Sequence, residues 1–133
     1  MTEEPLPQPP RQYRVTLTVG DHSPRHLRRV ARAHTRAWGL EQLADAAELA
    51  LTELTTNVHR HTPDRWCVVT LIHTLTGLRI EVYDHSPIIP VPLRADELAE
   101  SGRGLALVAL LTDKWDVTLH RIGKTVWCEL LDA

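Results

Sequence analysis

Apolar and polar residues alternate in the first folded segment of the chain, residues 13–20, and this period of two predicts a half-buried β-strand. Ser23 and Pro24 follow. Serine is typical of a helix N-cap, and proline fits the first helical position because its missing N–H needs no partner there. The next apolar residues recur at the spacing of an amphipathic helix. We therefore predict a helix over residues 24–38, capped by Ser23 and ended by Gly39.

A second helix and a β-hairpin are predicted in the middle of the chain. Apolar residues at three- and four-residue spacing extend over residues 41–60, and Pro63 prevents this helix from continuing. Two runs rich in β-branched and aromatic residues follow, at 66–74 and 78–84. A short link containing Gly77 separates the two runs, which predicts an antiparallel hairpin.

The last third of the chain predicts a loop, short helices and two closing strands. Three prolines within residues 85–93 predict the loop, and the pattern then predicts a helical stretch over 94–100 and an apolar helix over 105–111. Residues 115–120 and 125–131 predict the strands. This order of elements predicts an α+β fold, a two-layer sandwich in which helices cover one face of a mainly antiparallel sheet.

The length of 133 residues predicts a single domain that is large enough to bury its own core. Residues 1–12 contain four of the nine prolines and no apolar periodicity, so we predict a flexible arm there and a folded domain over residues 13–133. No apolar run approaches the roughly 18 residues of a membrane span. The N-terminus is acidic and proline-rich, unlike a secretory signal. We therefore expect a soluble, cytoplasmic protein without a membrane partner.

Cysteine and charge narrow the function classes. Cys67 and Cys128 lie in apolar segments without metal-ligand or redox spacing, which predicts unreactive core thiols.

Charge is distributed unevenly along the chain: residues 1–36 carry a net charge of +4 and residues 37–133 a net charge of −6. The arginines of the first helix leave three interpretations open: a nucleic-acid-binding face, a solvated face, or a docking surface for an acidic partner protein. The last two are favoured over nucleic-acid binding because the chain lacks a basic pI and aromatic residues interleaved with the arginines.

Polar residues line one edge of the buried face of the second helix. At 100° per residue, Glu53, Asn57 and Arg60 share this edge, and His61 lies close to it. The side-chain oxygen of an asparagine can bind Mg²⁺, and a glutamate can accept a proton. Taken alone, such a pair is more often a solvated helix face.

Two further features favour ligand binding. Alternation in the strand 78–84 puts Asp84 at the end of an apolar row. Such a carboxylate either begins an Asx-turn into the following loop or accepts a hydrogen bond from the amino group of a ligand. Gly102 and Gly104 precede the apolar helix, where backbone N–H groups and the helix dipole can receive an anion.

Together and in this order, the motifs resemble the ATP-binding domain that histidine kinases and DNA gyrase share, known as the GHKL or Bergerat fold. Residues 53–61 resemble the N box, and Asp84 stands where the first glycine box has its aspartate. Residues 102–105 resemble the second glycine box, and residues 123–127 are similar to the terminal strand of the adenine site. The resemblance extends over residues 13–131.

The stand-alone size and the last 30 residues look most like the bacterial anti-sigma-factor serine/threonine kinases. This resemblance implies ATP and Mg²⁺ as cofactors. It also implies two protein partners, a sigma factor and a small antagonist of the STAS class, and suggests a homodimer. Direct nucleic-acid binding is not implied.

The resemblance also implies a role for each residue of the site. Glu53 is expected to be the general base, Asn57 the Mg²⁺ ligand, Asp84 the acceptor for the adenine amino group, and Arg103 a stabiliser of the γ-phosphate charge. Gly102 and Gly104 are expected to admit the phosphates, and Thr125 to support the base. The remaining nucleotide contacts are expected from Arg60, His61, Ser86 and Leu105.

One segment departs from the family pattern. The first glycine box reads Asp-x-Gly-x-Gly in the family, whereas this chain has Asp84-His85-Ser86-Pro87, with Ile88 at the second glycine position. Pro87 has no N–H and a fixed φ, so this loop cannot make the same backbone contacts. Two functions therefore stay open: a Mg²⁺-ATP-dependent serine/threonine kinase that phosphorylates a STAS-type antagonist and sequesters a sigma factor, and a catalytically weak or inactive, nucleotide-gated binding module.

Overall fold

The structure is a computed structural model that describes residues 11–88 and 108–132. The predicted helical stretch over 94–100 lies outside these ranges, as do the N-terminal ten residues and most of the loop. The elements are β1 (Gln12–Thr18), α1 (Ser23–Ala37), a 3₁₀ turn (Glu41–Leu43), α2 (Ala44–His61), β2 (Trp66–His73), β3 (Gly77–Asp84), β4 (Lys114–Leu119) and β5 (Lys124–Leu131). Of the predicted helix over 105–111, the described part, 108–111, is helical.

The five strands form one antiparallel sheet in the order β1-β2-β3-β5-β4. β3 is the central strand, and its burial alternates as the sequence predicts, with Leu78, Ile80 and Val82 in the core. Both helices contribute to that same core, α1 through residues such as Leu27 and α2 through its apolar stripe. The predicted fold class, α+β with an antiparallel sheet and helices, is confirmed. The described part of the chain has no helix long and apolar enough to cross a membrane.

Two helix starts differ from the sequence prediction. Ser23 is the first residue of α1 and not its cap, because its hydroxyl accepts a hydrogen bond from Gly20 N–H (2.9 Å) and makes no capping bond to the helix. The second helix divides into the 3₁₀ turn and α2, since Leu43 N–H reaches only three residues back, to Leu40 O (2.9 Å). Both differences come from the way the chain turns into the helix, which apolar periodicity does not encode.

Candidate functional site

One end of the sheet collects most of the polar residues that the sequence singles out. Only residues 62–65 separate the end of α2 from the start of β2, and in the sheet Cys67 of β2 lies opposite Asp84. Asp84 in turn lies opposite Lys124, the first residue of β5. The last turn of α2, the start of β2, the end of β3 and the start of β5 therefore meet at one place, which we call the Asp84 end of the sheet.

Contacts outside the sheet hold this end together. His85 Nδ1 lies 3.1 Å from Asp64 Oδ2, in the connection between α2 and β2. The imidazole of His85 also stacks on Trp66, with the ring centroids 4.1 Å apart. The hydrogen bond from His85 lowers the pKa of the Asp64 carboxyl. The segment after β3 is thus tied to the segment after α2.

α2 carries the candidate catalytic and metal-binding side chains. Glu53 and Asn57 are half-buried and lie one turn apart, and both stand beside fully buried residues of the apolar stripe. Arg60 and His61 are exposed in the last turn. Thr62 caps the C-terminus of the helix, and its backbone N–H and hydroxyl both donate to Val58 O (3.1 and 2.7 Å). The edge position that the helical wheel predicts for Glu53 and Asn57 agrees with their partial burial.

Asp84 is buried in a polar cluster. Its side chain is 1% exposed, and its Oδ1 accepts a hydrogen bond from Ser86 N–H (2.8 Å). The ammonium of Lys124, itself 2% exposed, donates to Asp84 Oδ1 (2.8 Å) and Oδ2 (3.1 Å) and to Ser86 O (3.2 Å). The Asx-turn alternative for Asp84 is therefore present in the structure, and it is joined to a buried ion pair.

The altered glycine box is supported by side chains. Ser86 Oγ accepts a hydrogen bond from Ile88 N–H (3.3 Å), and Ser86 itself is buried. Pro87 lies between the two and is exposed. Hydrogen bonds that the side chains of Asp84 and Ser86 accept from backbone N–H groups thus hold a loop where the family pattern has glycines.

Gly123 brings the turn between β4 and β5 against the end of β3. It has a φ of +81°, and a Cβ at this position would lie 2.0 Å from Asp84 O. Glycine is needed here both for the left-handed backbone and for the close approach. This contact places the first residue of β5, Lys124, directly beside Asp84.

Thr125 lies on the other face of the sheet. It is opposite Tyr83, the neighbour of Asp84 in β3, and residues that face each other in an antiparallel pair share a face. Its hydroxyl lies 2.7 Å from His120 Nε2. Thr125 and Tyr83 line a cavity of about 490 Å³ there, together with Arg14 and Arg121. Thr125, which the resemblance expects to support the base, thus lies on the face opposite Asp84, and strand alternation places Lys124 beside the carboxylate.

Lys124 is the residue that the sequence interpretation missed. A signal for it was available, since alternation in β5 puts Lys124 in one row with Val126, Cys128 and Leu130, all of which are buried. A lysine in an apolar row needs a buried partner, and Asp84 ends the corresponding row of β3.

The second glycine box lies outside the described residues. It contains the residues expected to contact the phosphates, Gly102, Arg103, Gly104 and Leu105.

The two thiols have no catalytic character. Cys67 and Cys128 are fully buried, and burial raises the pKa of each thiol to about 12. The charge of Asp84 adds to the shift at Cys67. The sequence prediction of buried core thiols is confirmed.

Within residues 11–88 and 108–132, no group of three or more histidine, cysteine or acidic side chains could hold a metal ion.

A family model decides the relationship that the motifs suggest. The model of the histidine kinase-like ATPase domain matches residues 15–129. The chain belongs to this family. The match includes the N-box segment of α2, Asp84 and the start of β5, so the Asp84 end of the sheet lies within the ATPase domain. A search of the curated proteins gives no significant match.

The donor set of this ATPase domain suits a magnesium ion that is bound mainly by phosphate. Asn57 offers one neutral oxygen, and Mg²⁺ commonly takes one or two protein oxygens and completes its shell with phosphate oxygens and water. Glu53 lies one turn earlier on the same helix, so its carboxylate would lie near a substrate group held by such an ion.

Proposed function

We propose that this histidine kinase-like ATPase domain binds Mg²⁺-ATP at the Asp84 end of the sheet and transfers the γ-phosphate to a serine or threonine of a partner protein. The observation that carries the proposal is the pair Glu53 and Asn57, half-buried and one turn apart in the part of α2 that runs toward Asp84. The family match over residues 15–129 supports nucleotide binding by this part of the chain.

The two side chains suit different parts of the reaction. Asn57 would hold the magnesium ion, which neutralises charge on the phosphates when it is bound. Glu53 would accept the proton of the attacking hydroxyl as its oxygen forms a bond to the γ-phosphorus and the bond to ADP breaks. Glu53 is partly exposed, so a partner hydroxyl can approach it. In this proposal Arg103, Gly102, Gly104 and Leu105 act on the phosphates.

We propose further that the domain is a regulator of the anti-sigma type, with a STAS-class protein as the phosphate acceptor and a sigma factor as the sequestered partner. A surface that suits an acidic protein partner supports this role. Arg25, Arg28, Arg29 and Arg36 are exposed on α1. Arg32, on the same helix, donates to Asp45 (2.8 Å) and Glu48 (2.6 Å) of α2 and is already paired.

A second candidate function has its own support. The buried ion pair between Asp84 and Lys124 occupies the carboxylate that adenine recognition would use. A domain with reduced recognition of the base would serve as a nucleotide-gated or nucleotide-independent binding module. Partner binding would then survive the loss of Glu53, whereas phosphotransfer would be absent in the unmodified protein.

Calorimetric titration of the nucleotide-free protein tests the proposal. We expect ATP binding that requires Mg²⁺ and that is weakened at least about tenfold in Asn57→Ala, since a magnesium ligand is lost. Thr56→Ala, in the neighbouring and similarly half-buried position, is the matched control and keeps wild-type affinity. The absence of binding at millimolar ATP would exclude the nucleotide-dependent function. ATP binding without transfer of radiolabelled phosphate to any STAS-class protein of the same genome would favour the binding module.

A further inference from the structure

The ammonium of Lys124 is fully satisfied inside the protein. It has three N–H donors and contacts three acceptors, Asp84 Oδ1, Asp84 Oδ2 and Ser86 O, at 2.8, 3.1 and 3.2 Å. Its side chain is as inaccessible as that of Asp84. Lys124 is therefore an internal partner of the carboxylate and not a solvated lysine that happens to lie near it.

The carboxylate of Asp84 is correspondingly occupied. Oδ1 accepts from both Ser86 N–H and Lys124, and Oδ2 accepts from Lys124. An amino group on a purine must donate to an acceptor of this kind in order to be recognised. At Asp84, that donor would compete with a buried cation, and displacing the cation would leave a charge unpaired in the interior.

We propose that Lys124 determines the base specificity of this domain by holding the Asp84 carboxylate, so that the protein binds nucleoside triphosphates through their phosphates with little preference for adenine. This inference rests on the proposed nucleotide binding. The hydrogen bonds of the ion pair join Asp84, Ser86 and Lys124 and involve neither Glu53 nor Asn57 of α2, so phosphate and Mg²⁺ contacts at those two side chains do not require Asp84 to be free. The purine of ATP has an amino group at position 6, whereas that of ITP has a carbonyl group there. The ratio of the affinities for ATP and ITP therefore shows whether Asp84 recognises the base.

Removing the lysine should restore selection by the base. In Lys124→Thr the carboxylate is free to accept from the 6-amino group, and a site that hydrogen-bonds a ligand group rejects the analogue without it. We expect wild type to bind Mg²⁺-ATP and Mg²⁺-ITP with dissociation constants within about threefold of each other, and Lys124→Thr to prefer ATP by about tenfold or more.

The chain offers two matched controls for this titration. Lys114 is the other lysine of the sequence and is exposed on β4, so Lys114→Thr should keep the wild-type ratio. The double variant Asp84→Ala/Lys124→Met has neither buried charge. It should fold and stay indifferent to the base, which would show that any preference in Lys124→Thr comes through Asp84.

Lysine labelling tests the inference in the unmodified protein and does not depend on the stability of a variant. An amine-acylating reagent followed by mass spectrometry should modify Lys114 rapidly and leave Lys124 protected, both without nucleotide and with saturating Mg²⁺-ATP. Labelling of Lys124 that increases on addition of ATP would overturn the inference, because the ion pair would then open to receive the base.

The outcomes separate this inference from the proposed function. If wild type prefers ATP over ITP by tenfold or more and Lys124→Thr does not increase that preference, Lys124 does not set specificity, although nucleotide binding stands. If neither wild type nor any variant binds a nucleoside triphosphate, the proposed function fails and the specificity role of Lys124 fails with it.

Discussion

The ammonium of Lys124 lies 2.8 Å from Asp84 Oδ1, where neither side chain has appreciable access to solvent. Removing one member of a buried ion pair leaves the other uncompensated, which typically costs about 3–5 kcal/mol. We expect Lys124→Met to lower the free energy of unfolding by about that amount, measured by urea denaturation with tryptophan fluorescence as the signal.

A double-mutant cycle provides the control for this prediction. Asp84→Asn/Lys124→Met buries no charge, and we expect its free energy of unfolding to lie within about 2 kcal/mol of wild type, because no unpaired charge is left in the interior and the amide oxygen can still accept from Ser86 N–H. Lys114→Met, on the exposed part of β4, should change stability little. If Lys124→Met alone were as stable as wild type, the buried pairing of Lys124 with Asp84 would be contradicted.

Gly123→Ala should destabilise the turn between β4 and β5. A Cβ would lie 2.0 Å from Asp84 O, and the φ of +81° is unfavourable for alanine. We expect a loss of about 1–3 kcal/mol or more in the free energy of unfolding. Gly20→Ala is the matched control, since a Cβ there meets no atom within 4 Å. Equal stability of the two variants would mean that the turn does not approach Asp84 so closely.

The buried thiols should resist modification and make stability depend on alkaline pH. Burial raises the pKa of Cys67 and Cys128 from 9.0 to about 12. Between these values the unfolded chain has lost the thiol protons and the folded chain has kept them, so the free energy of unfolding falls as the pH rises from about 9 toward 12. A chromogenic disulfide reagent at pH 8 should react with neither thiol until denaturant is added. Rapid reaction of the native protein would contradict the burial.

Glu53→Gln should separate chemistry from binding. The amide keeps the size of the side chain but cannot accept the hydroxyl proton, and general-base catalysis typically contributes about 10²–10⁴-fold to a rate. We expect phosphotransfer to a STAS-class acceptor to fall by that factor while the affinity for Mg²⁺-ATP stays near wild type. Glu41→Gln, exposed in the 3₁₀ turn, is the matched control for both assays. Unchanged transfer in Glu53→Gln would assign the base to another group.

Sequence periodicity was sufficient for the fold where apolar residues repeat regularly. The alternation in residues 78–84 predicted both the strand and the burial of Asp84, and the hairpin at Gly77 followed from its link. Helix starts were less predictable, as Ser23 shows, because the serine hydroxyl found its partner in the preceding turn. A serine hydroxyl can hydrogen-bond to any of several nearby backbone groups, and the spacing of apolar residues does not predict which of these bonds forms.

The sequence alone determined the family, through the order of the N box, Asp84 and the terminal strand, and the half-buried edge of α2 that carries Glu53 and Asn57. Only the tertiary structure decided which residue stands beside Asp84. A shift of one position along β5 exchanges the two faces of the sheet, so whether Lys124 or Thr125 faces the carboxylate depends on the register of β3 against β5. Strand register is set by contacts between segments that are distant in sequence, and here it buries a lysine against the candidate base-recognition residue.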